Sequence, residues 1–263
     1  MYPVASASMG VSRRGLFTLG FLAGKAEPVD YESATERVVD GWDREGHEPW
    51  QRALEPVALE LVEAADVHAG DAVLAAAAGD GNLAAAAIAA GAEVEACDLS
   101  PRMVELGRER VPRASWLRAD VQDMPYPNGA FEAVLSSFGA VLAPRAKRTA
   151  RELARVAVPG GVVGLTAWTP ESLPGRAENL AGRPAGVRSP TDWGIEAIAR
   201  ARFESVLEDV TVQRRTVVLT FPSEDELLAA LLRPFGLDDA PALRGCGAQV
   251  AAQYLLFLGR RPA

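Results

Sequence analysis

Residues 73–98 read VLAAAAGDGNLAAAAIAAGAEVEACD, which is an apolar run, a glycine-rich turn, an alanine-rich amphipathic stretch and a second apolar run that ends in an acid. This order is typical of a strand, a tight turn, a helix and a second strand of a parallel sheet. Units of this kind present an adenosine-bearing ligand at the edge of the sheet. The stretch therefore predicts an α/β fold with a nucleoside site.

The turn glycines and the acid after the second apolar run have the spacing that such a site requires. Glycine lacks a Cβ atom, so at Gly79 and Gly81 the backbone can adopt a positive φ and let a ligand approach the main chain. Asp98 lies nineteen positions after Gly79, close to the roughly 20-residue interval at which an acid ending the second strand accepts hydrogen bonds from ribose hydroxyls. The alternatives are a plain acid at a strand end and two glycines with a purely structural role.

The same turn disfavours NAD as the ligand. The dinucleotide fingerprint GxGxxG, aligned from position 77, needs glycine at 77, 79 and 82, whereas the chain has Ala77, Gly79 and Asn82. A nicotinamide oxidoreductase would also leave unexplained the motifs between residues 96 and 168, which are described next.

Four motifs resemble those of the class I S-adenosylmethionine (SAM) dependent methyltransferases, closest to the methyltransferase type 11 group. The run AxGxG at 77–81 resembles motif I, in which alanine at the first glycine position is a familiar variant. Three further segments resemble the family in the right order: ACDLSPRMVELGRERV at 96–111, RADVQDMPYPNGAFEAVLSSFGAVLAP at 118–144 and RELARVAVPGGVVGLTAW at 151–168. The resemblance implies a Rossmann-like fold with seven strands in the order 3-2-1-4-5-7-6, the last strand antiparallel.

The resemblance also implies a division of the chain. We expect residues 1–27 to be a poorly ordered arm and residues 28–263 to be the methyltransferase domain. Within that domain we expect two lid helices at 28–66, a SAM-binding core at 70–168 and a substrate-side insertion at 169–205.

The methionine part of SAM would lie against one set of motif positions. The resemblance implies that Ala77, Gly79 and Gly81 present their backbone to it and that Ser136, near the end of the fourth strand, lies beside it. Between the glycines, we expect Asp80 to point to solvent or to cap the following helix.

The nucleoside part would contact a second set. The resemblance implies that Asp98 binds the ribose and Leu99 packs on the adenine, and that Asp120 and Val121 meet the adenine amino group and ring face. For Asp120 the alternative is a carboxylate that caps a turn, because aspartate favours turns in general.

The sequence nominates no catalytic residue. Methyl transfer from SAM is an in-line displacement at a carbon that a positive sulfonium already activates, so positioning and a dry site are the main requirements. A general base can be unnecessary, and no acid/base pair stands out.

Position 75 departs from the family pattern. Motif I usually has aspartate or glutamate where this chain has Ala75, and that carboxylate helps to hold the turn and the ammonium end of the cofactor. A charge-assisted hydrogen bond is worth about 1.5 to 3 kcal/mol, so its loss corresponds to roughly tenfold to hundredfold weaker SAM binding. A catalytically silent binding protein that keeps the fold is therefore the alternative to an enzyme.

Composition narrows the class of partner. The chain has 263 residues and a formal charge of −8, which argues against a general nucleic-acid binder. No apolar run approaches the ~18 residues of a membrane span.

Cys97 and Cys246 form no metal-ligand motif with His47 or His68, so we expect reduced, mostly buried thiols and no metal site. We expect a small-molecule acceptor and a monomer or homodimer.

The N-terminal region raises two further questions. Residues 12–24 place paired arginines ahead of a short apolar run, as twin-arginine export signals do, but the run is only about nine residues. We expect a cytoplasmic protein, because SAM is made and kept there. The helical pattern over 31–65 includes Tyr31 and Trp42, which either close over the cofactor or simply pack on the domain.

Overall fold

Seven strands form one sheet in the computed structural model, which describes residues 29–263 of the chain. In chain order they are β1 (Ala72–Ala76), β2 (Glu93–Asp98), β3 (Ser115–Arg118), β4 (Phe131–Ser137), β5 (Ala157–Trp168), β6 (Glu208–Thr220) and β7 (Gln249–Arg260). Across the sheet the order is β3-β2-β1-β4-β5-β7-β6. Strands β1 to β5 pair in parallel, whereas β7 is antiparallel to both β5 and β6. This confirms the predicted fold class and strand order.

Eight α-helices accompany the strands in the described part of the chain. They are α1 (Tyr31–Trp42), α2 (Glu48–Ala64), α3 (Asn82–Ala89), α4 (Pro101–Arg110), α5 (Ala146–Val156), α6 (Leu173–Leu180), α7 (Glu196–Phe203) and α8 (Glu224–Leu232). Helices α1 and α2 are the two that the sequence predicts ahead of the sheet.

Two helix starts follow from side-chain capping. Ser100 Oγ accepts a hydrogen bond of 3.0 Å from the backbone N–H of Met103, and Pro101 fills the first helical position of α4. Ser223 Oγ caps α8 by accepting from the backbone N–H of Glu226 at 3.2 Å. The first cap ends β2 at Asp98 and so sets the position of that acid.

Strand β1 lies at the centre of the core. Val73, Leu74, Ala75 and Ala76 are all 0% exposed, as expected for a parallel strand that helices cover on both sides. Side chains of α2, α3 and α8 pack on one side of the sheet, and those of α5 and α7 on the other. The turn that leaves β1 is thereby held on a rigid base.

The Pro-Gly-Gly sequence at 159–161 lies inside β5. Such a sequence favours a tight turn ahead of a strand, but β5 already begins at Ala157. The pairing with β4 shifts register between Phe131 and Ala133, and Gly160 has a φ of 77°. The Pro-Gly-Gly sequence is therefore an irregularity inside the strand, which the glycine conformation permits.

The two cysteines differ in burial. Cys97 is buried, and burial raises the pKa of its thiol to about 12. Cys246 is only half-buried, so the expectation of a mostly buried thiol holds for Cys97 alone. Within residues 29–263, no group of three or more His, Cys, Asp or Glu residues is placed to hold a metal ion.

The helices in the described residues are each too short or too polar to cross a membrane. The predicted arm at 1–27 and the paired-arginine segment at 12–24 lie outside the described residues.

Candidate functional site

The turn between β1 and α3 runs through positive φ at three residues. The angles are 48° at Ala77, 56° at Gly79 and 104° at Gly81. Alanine is uncommon in this region of φ, and close packing surrounds it here, since a Cβ atom added to Gly139 would lie 2.2 Å from the carbonyl oxygen of Ala77. The conformation exposes the backbone of the turn at the carboxyl end of β1.

Asp98 ties this turn to the end of β2. Its Oδ2 accepts a hydrogen bond from the backbone N–H of Gly79 and its Oδ1 accepts one from that of Ser100, both at 2.9 Å. Burial raises the pKa of the Asp98 carboxyl, and the two N–H donors oppose that rise. Each carboxylate oxygen has two lone pairs, so acceptor capacity remains for a ligand hydroxyl.

A cleft opens at the carboxyl ends of β1, β2 and β4. Its empty space is about 1050 Å³, a figure that includes the open mouth. Helices α1 and α2 supply one wall through Thr35, Val38, Trp42, Trp50 and Gln51.

Hydrogen bonds fasten these two helices to the core. Asn82 Nδ2 donates to the carbonyl oxygen of Gln51 at 2.6 Å, and Ser100 Oγ donates to a carboxylate oxygen of Asp43, which follows α1. Of the two lid candidates, Trp42 lines the cleft. Tyr31 does not, and its ring lies under the guanidinium of Arg145 at 5.0 Å. Tyr31 therefore follows the packing alternative.

Six of the eight residues expected to bind the cofactor line the cleft. They are Ala77, Gly79, Asp98, Leu99, Asp120 and Val121. Their contact with a ligand remains a prediction, and what the structure adds is that they face one space.

The other two lie elsewhere. A Cβ atom at Gly81 would meet Val111 at 2.9 Å and Trp116 at 3.0 Å, so this glycine allows helix packing behind the turn. Ser136 is 1% exposed, and its Oγ accepts from the backbone N–H of Ala140 at 2.9 Å. Its hydroxyl points into the protein and caps the turn after β4, so its place beside the methionine part of SAM stays a prediction.

Asp120 and Asp80 both have partners within the protein. Asp120 Oδ1 accepts from the backbone N–H of Gln122 at 2.8 Å, and the side-chain amide of Gln122 also donates to the carboxylate. Asp120 therefore caps its turn, as the alternative proposed, while lining the cleft. Asp80 neither points to solvent nor caps a helix: it is 9% exposed and pairs with Arg110 at 2.9 Å.

Two aromatic residues that the sequence does not nominate form an aromatic wall of the cleft. Phe138 and Trp168 stack with ring centroids 4.0 Å apart and an interplanar angle of 7°. Phe138 directly follows β4 and Trp168 ends β5, so both lie at the carboxyl edge of the parallel strands. This position is the signal that could have identified them. The wall is apolar and favours exclusion of water. Glu178 of α6, for which the sequence gives no signal, also lines the cleft.

A second cavity lies beside the cleft and shares a wall with it. Its empty space is about 1280 Å³ including the mouth. Leu142, Phe235 and Glu178 line both spaces. The interior is largely apolar, whereas exposed charged residues surround it: Arg37, Asp40, Arg44, Arg183 and Arg188.

The cleft has the groups that a SAM molecule needs at its nucleoside end. Asp98 retains lone pairs for ribose hydroxyls, and the apolar side chains of Leu99 and Val121 can flank a purine. Position 75 contributes no carboxylate, since Ala75 is fully buried within the sheet. The residues present fit the cofactor, with one ionic contact fewer than the family pattern.

Comparison with known proteins points the same way. Residues 73–161 match the family model of a methyltransferase domain. An uncharacterised protein of Mycobacterium tuberculosis, Rv1403c, is 34% identical over 178 residues, which cover 64% of this chain and 65% of that protein. The chain thus spans just under two thirds of the length of that relative.

Two further similarities concern proteins with a stated activity or a solved structure. The demethylmenaquinone methyltransferase of Clavibacter sepedonicus is 37% identical over 109 residues, covering 40% of this chain and 44% of that enzyme. The YcgJ protein of Bacillus subtilis has a similar fold, with a TM-score of 0.58 at 16% identity over 78% of this chain and 98% of that one.

Proposed function

We propose that the protein transfers a methyl group from SAM to a small organic molecule. Residues 73–161 match the model of a methyltransferase domain, and the sheet has the strand order of the class I, SAM-dependent methyltransferase fold. The observation that carries this proposal is the hydrogen bond from Gly79 to Asp98 at the floor of the cleft. It lies at the carboxyl end of β1, next to the point where the strand order reverses between β1 and β4, and ligands of open α/β sheets bind in the crevice at that point.

Different residues of the cleft would contact different parts of the cofactor. Asp98 would accept hydrogen bonds from the ribose, Leu99 and Val121 would flank the adenine, and the backbone at Ala77 and Gly79 would meet the methionine part. Bound SAM supplies a methyl carbon activated by a positive sulfonium. The chain itself then has to orient the acceptor and keep water out, and the aromatic wall serves the second purpose.

We place the acceptor in the second cavity. It adjoins the cleft through Leu142, Phe235 and Glu178, so a molecule seated there can reach the cofactor site. Four arginines and one aspartate line its mouth, so the charge there is positive although the formal charge of the whole chain is −8. This concentration of positive charge supports an acceptor with an apolar body and an anionic end.

The second candidate is a catalytically silent protein that keeps the fold. Ala75 favours it, because the motif I carboxylate is missing at this fully buried position. The two candidates differ in how strongly the protein binds SAM.

Thermal unfolding with added ligands tests the proposal. A ligand present at about 100 times its Kd stabilises the folded state by about 2.7 kcal/mol, which for a domain of this size raises the Tm by roughly 5–10 °C. We expect SAM and S-adenosylhomocysteine to produce this rise and NAD to produce none. No rise with either sulfur ligand would favour the silent protein, and a rise with NAD alone would contradict both candidates.

A further inference from the structure

Glu178 occupies the wall between the cofactor cleft and the second cavity. It lines both spaces and is only 6% exposed. A molecule in the second cavity that reaches toward the cofactor therefore passes this carboxyl group. The placement makes Glu178 the one carboxyl among the described residues that faces both cavities.

Helix α6 holds the residue in position. Ser172 caps the helix by accepting from the backbone N–H of Gly175 at 3.2 Å. A Cβ atom at Gly175 would lie 2.0 Å from the carbonyl oxygen of Thr169, so the helix start packs directly on the chain leaving β5. Glu178 thus projects from a short helix anchored to the sheet, which suits a group that must meet a reacting atom.

The surroundings of Glu178 leave its carboxyl unusually basic. Burial raises its pKa to about 8, and the positive charge of Arg183 opposes that rise. Other charged groups stand around the two cavities on α1, on the strand ends and after α6: Arg37, Asp40, Arg44, Asp98, Asp120 and Arg188. A buried carboxyl in such an apolar wall costs free energy, and groups of this kind concentrate at functional sites.

We propose that Glu178 is the general base of methyl transfer, an inference that rests on the proposed function. The acceptor's O, N or S atom forms a bond to the methyl carbon while the bond from that carbon to sulfur breaks and leaves its electron pair on sulfur. The proton carried by the acceptor atom passes to the Glu178 carboxylate; an ammonium group gives up its proton before the attack, because it has no free lone pair until then. The proposal therefore concerns O–H, S–H and ammonium acceptors.

A matched set of probes tests this assignment without knowledge of the natural acceptor. The set is 4-hydroxybenzoate, 4-mercaptobenzoate and 4-(aminomethyl)benzoate, which share an anionic end and differ in the attacking atom. Formation of S-adenosylhomocysteine is measured from pH 6 to pH 10 for the wild type and for Glu178→Gln. The control is Glu109→Gln, which removes an exposed carboxylate of α4 that lines neither cavity.

We expect the wild type and the control to methylate at least one probe, with kcat/KM rising as the pH passes through about 8, the pKa of Glu178. Glu178→Gln loses that rise and about 10²-fold or more in kcat/KM, since a general base contributes roughly 10²–10⁴-fold. Glu178→Asp restores part of the rate. Unchanged kinetics in Glu178→Gln would overturn the proposal, as would a wild type that binds SAM and methylates none of the probes.

Calorimetric titration with S-adenosylhomocysteine separates this inference from the proposed function. We expect equal affinity for the wild type and Glu178→Gln, because the residue acts on the acceptor. A large loss of affinity in the variant would overturn the proposal and make Glu178 a cofactor ligand. No binding by the wild type would instead reject the proposed function itself.

Discussion

The backbone N–H of Gly79 donates a hydrogen bond of 2.9 Å to Oδ2 of Asp98. This bond joins the turn after β1 to the end of β2, so the acid that faces the cleft also fixes the shape of its floor. Ligand binding and local stability are coupled at this pair. Variants here therefore need controls that separate the two effects.

Gly79→Ala tests the floor of the cleft. Gly79 has a φ of 56°, and an added Cβ atom would lie 3.1 Å from Nε2 of Gln51, across the cleft wall. Alanine in this conformation costs about 1–2 kcal/mol. Gly70→Ala is the matched control, because Gly70 has a φ of 90° with nothing within 4 Å of the added atom. Urea unfolding should show similar destabilisation in both variants, whereas only Gly79→Ala should bind SAM more weakly; equal SAM affinity would contradict the placement.

Ala75→Asp tests whether the site has decayed. The turn already has partners, since Ala78 N–H donates to the carbonyl oxygen of Cys97 at 2.9 Å and Gly79 N–H to Asp98. We therefore expect no gain in SAM affinity, and a loss of stability of a few kcal/mol because the new carboxyl is buried without a partner. A tenfold or larger gain in affinity by calorimetry would instead support the silent protein.

Ser136→Ala tests whether the Ser136 hydroxyl meets the ligand. The variant removes the acceptor of the buried Ala140 N–H, which should cost about 1–3 kcal/mol in denaturant unfolding. SAM affinity should stay within about twofold, because Ser136 does not line the cleft. A large loss of affinity with unchanged stability would show that the hydroxyl meets the ligand.

The pH dependence of stability tests the burial of Glu178. Its folded-state pKa of about 8 exceeds the ordinary value of 4.5, so stability is fully present below pH 4.5 and falls as the pH rises toward 8. Because one pKa unit corresponds to about 1.4 kcal/mol, Glu178→Gln should exceed the wild type by up to a few kcal/mol at pH 9 and match it near pH 4.5. The urea midpoint is measured against pH for the wild type and Glu178→Gln, with Glu109→Gln as control. Parallel curves for the wild type and Glu178→Gln would show that Glu178 is not buried.

The sequence predicts the sheet for physical reasons, and six of the eight residues that it nominates for the cofactor line one cleft. Strand, turn and helix signals recur in one order from residue 73 to 168. Glycine and aspartate after an apolar run are strong indicators of a tight turn. The residues after β4 show what the sequence does not predict. Phe138 adopts a φ of 60° just after that strand. That local twist brings residues 137–139, rather than Ser136, to the cleft, and no pattern of residue types reveals it.

Glu178 could not be predicted for a different reason. It lies in a region rich in proline, glycine and arginine, on an eight-residue helix whose glutamate would ordinarily face water. It lines the two cavities together with residues of α1 and with residues 234–235, which are distant in sequence. Such convergence of distant segments is visible only in the folded chain.

Isothermal titration of the wild type, Asp98→Ala and Glu109→Gln with SAM tests the central claim most directly. Loss of a charge-assisted hydrogen bond costs about 1.5–3 kcal/mol, which is roughly a tenfold to hundredfold change in Kd. We predict micromolar binding by the wild type and the control, and at least tenfold weaker binding by a folded Asp98→Ala. Equal affinity in all three proteins, or no heat from the folded wild type, would contradict a SAM site at this cleft.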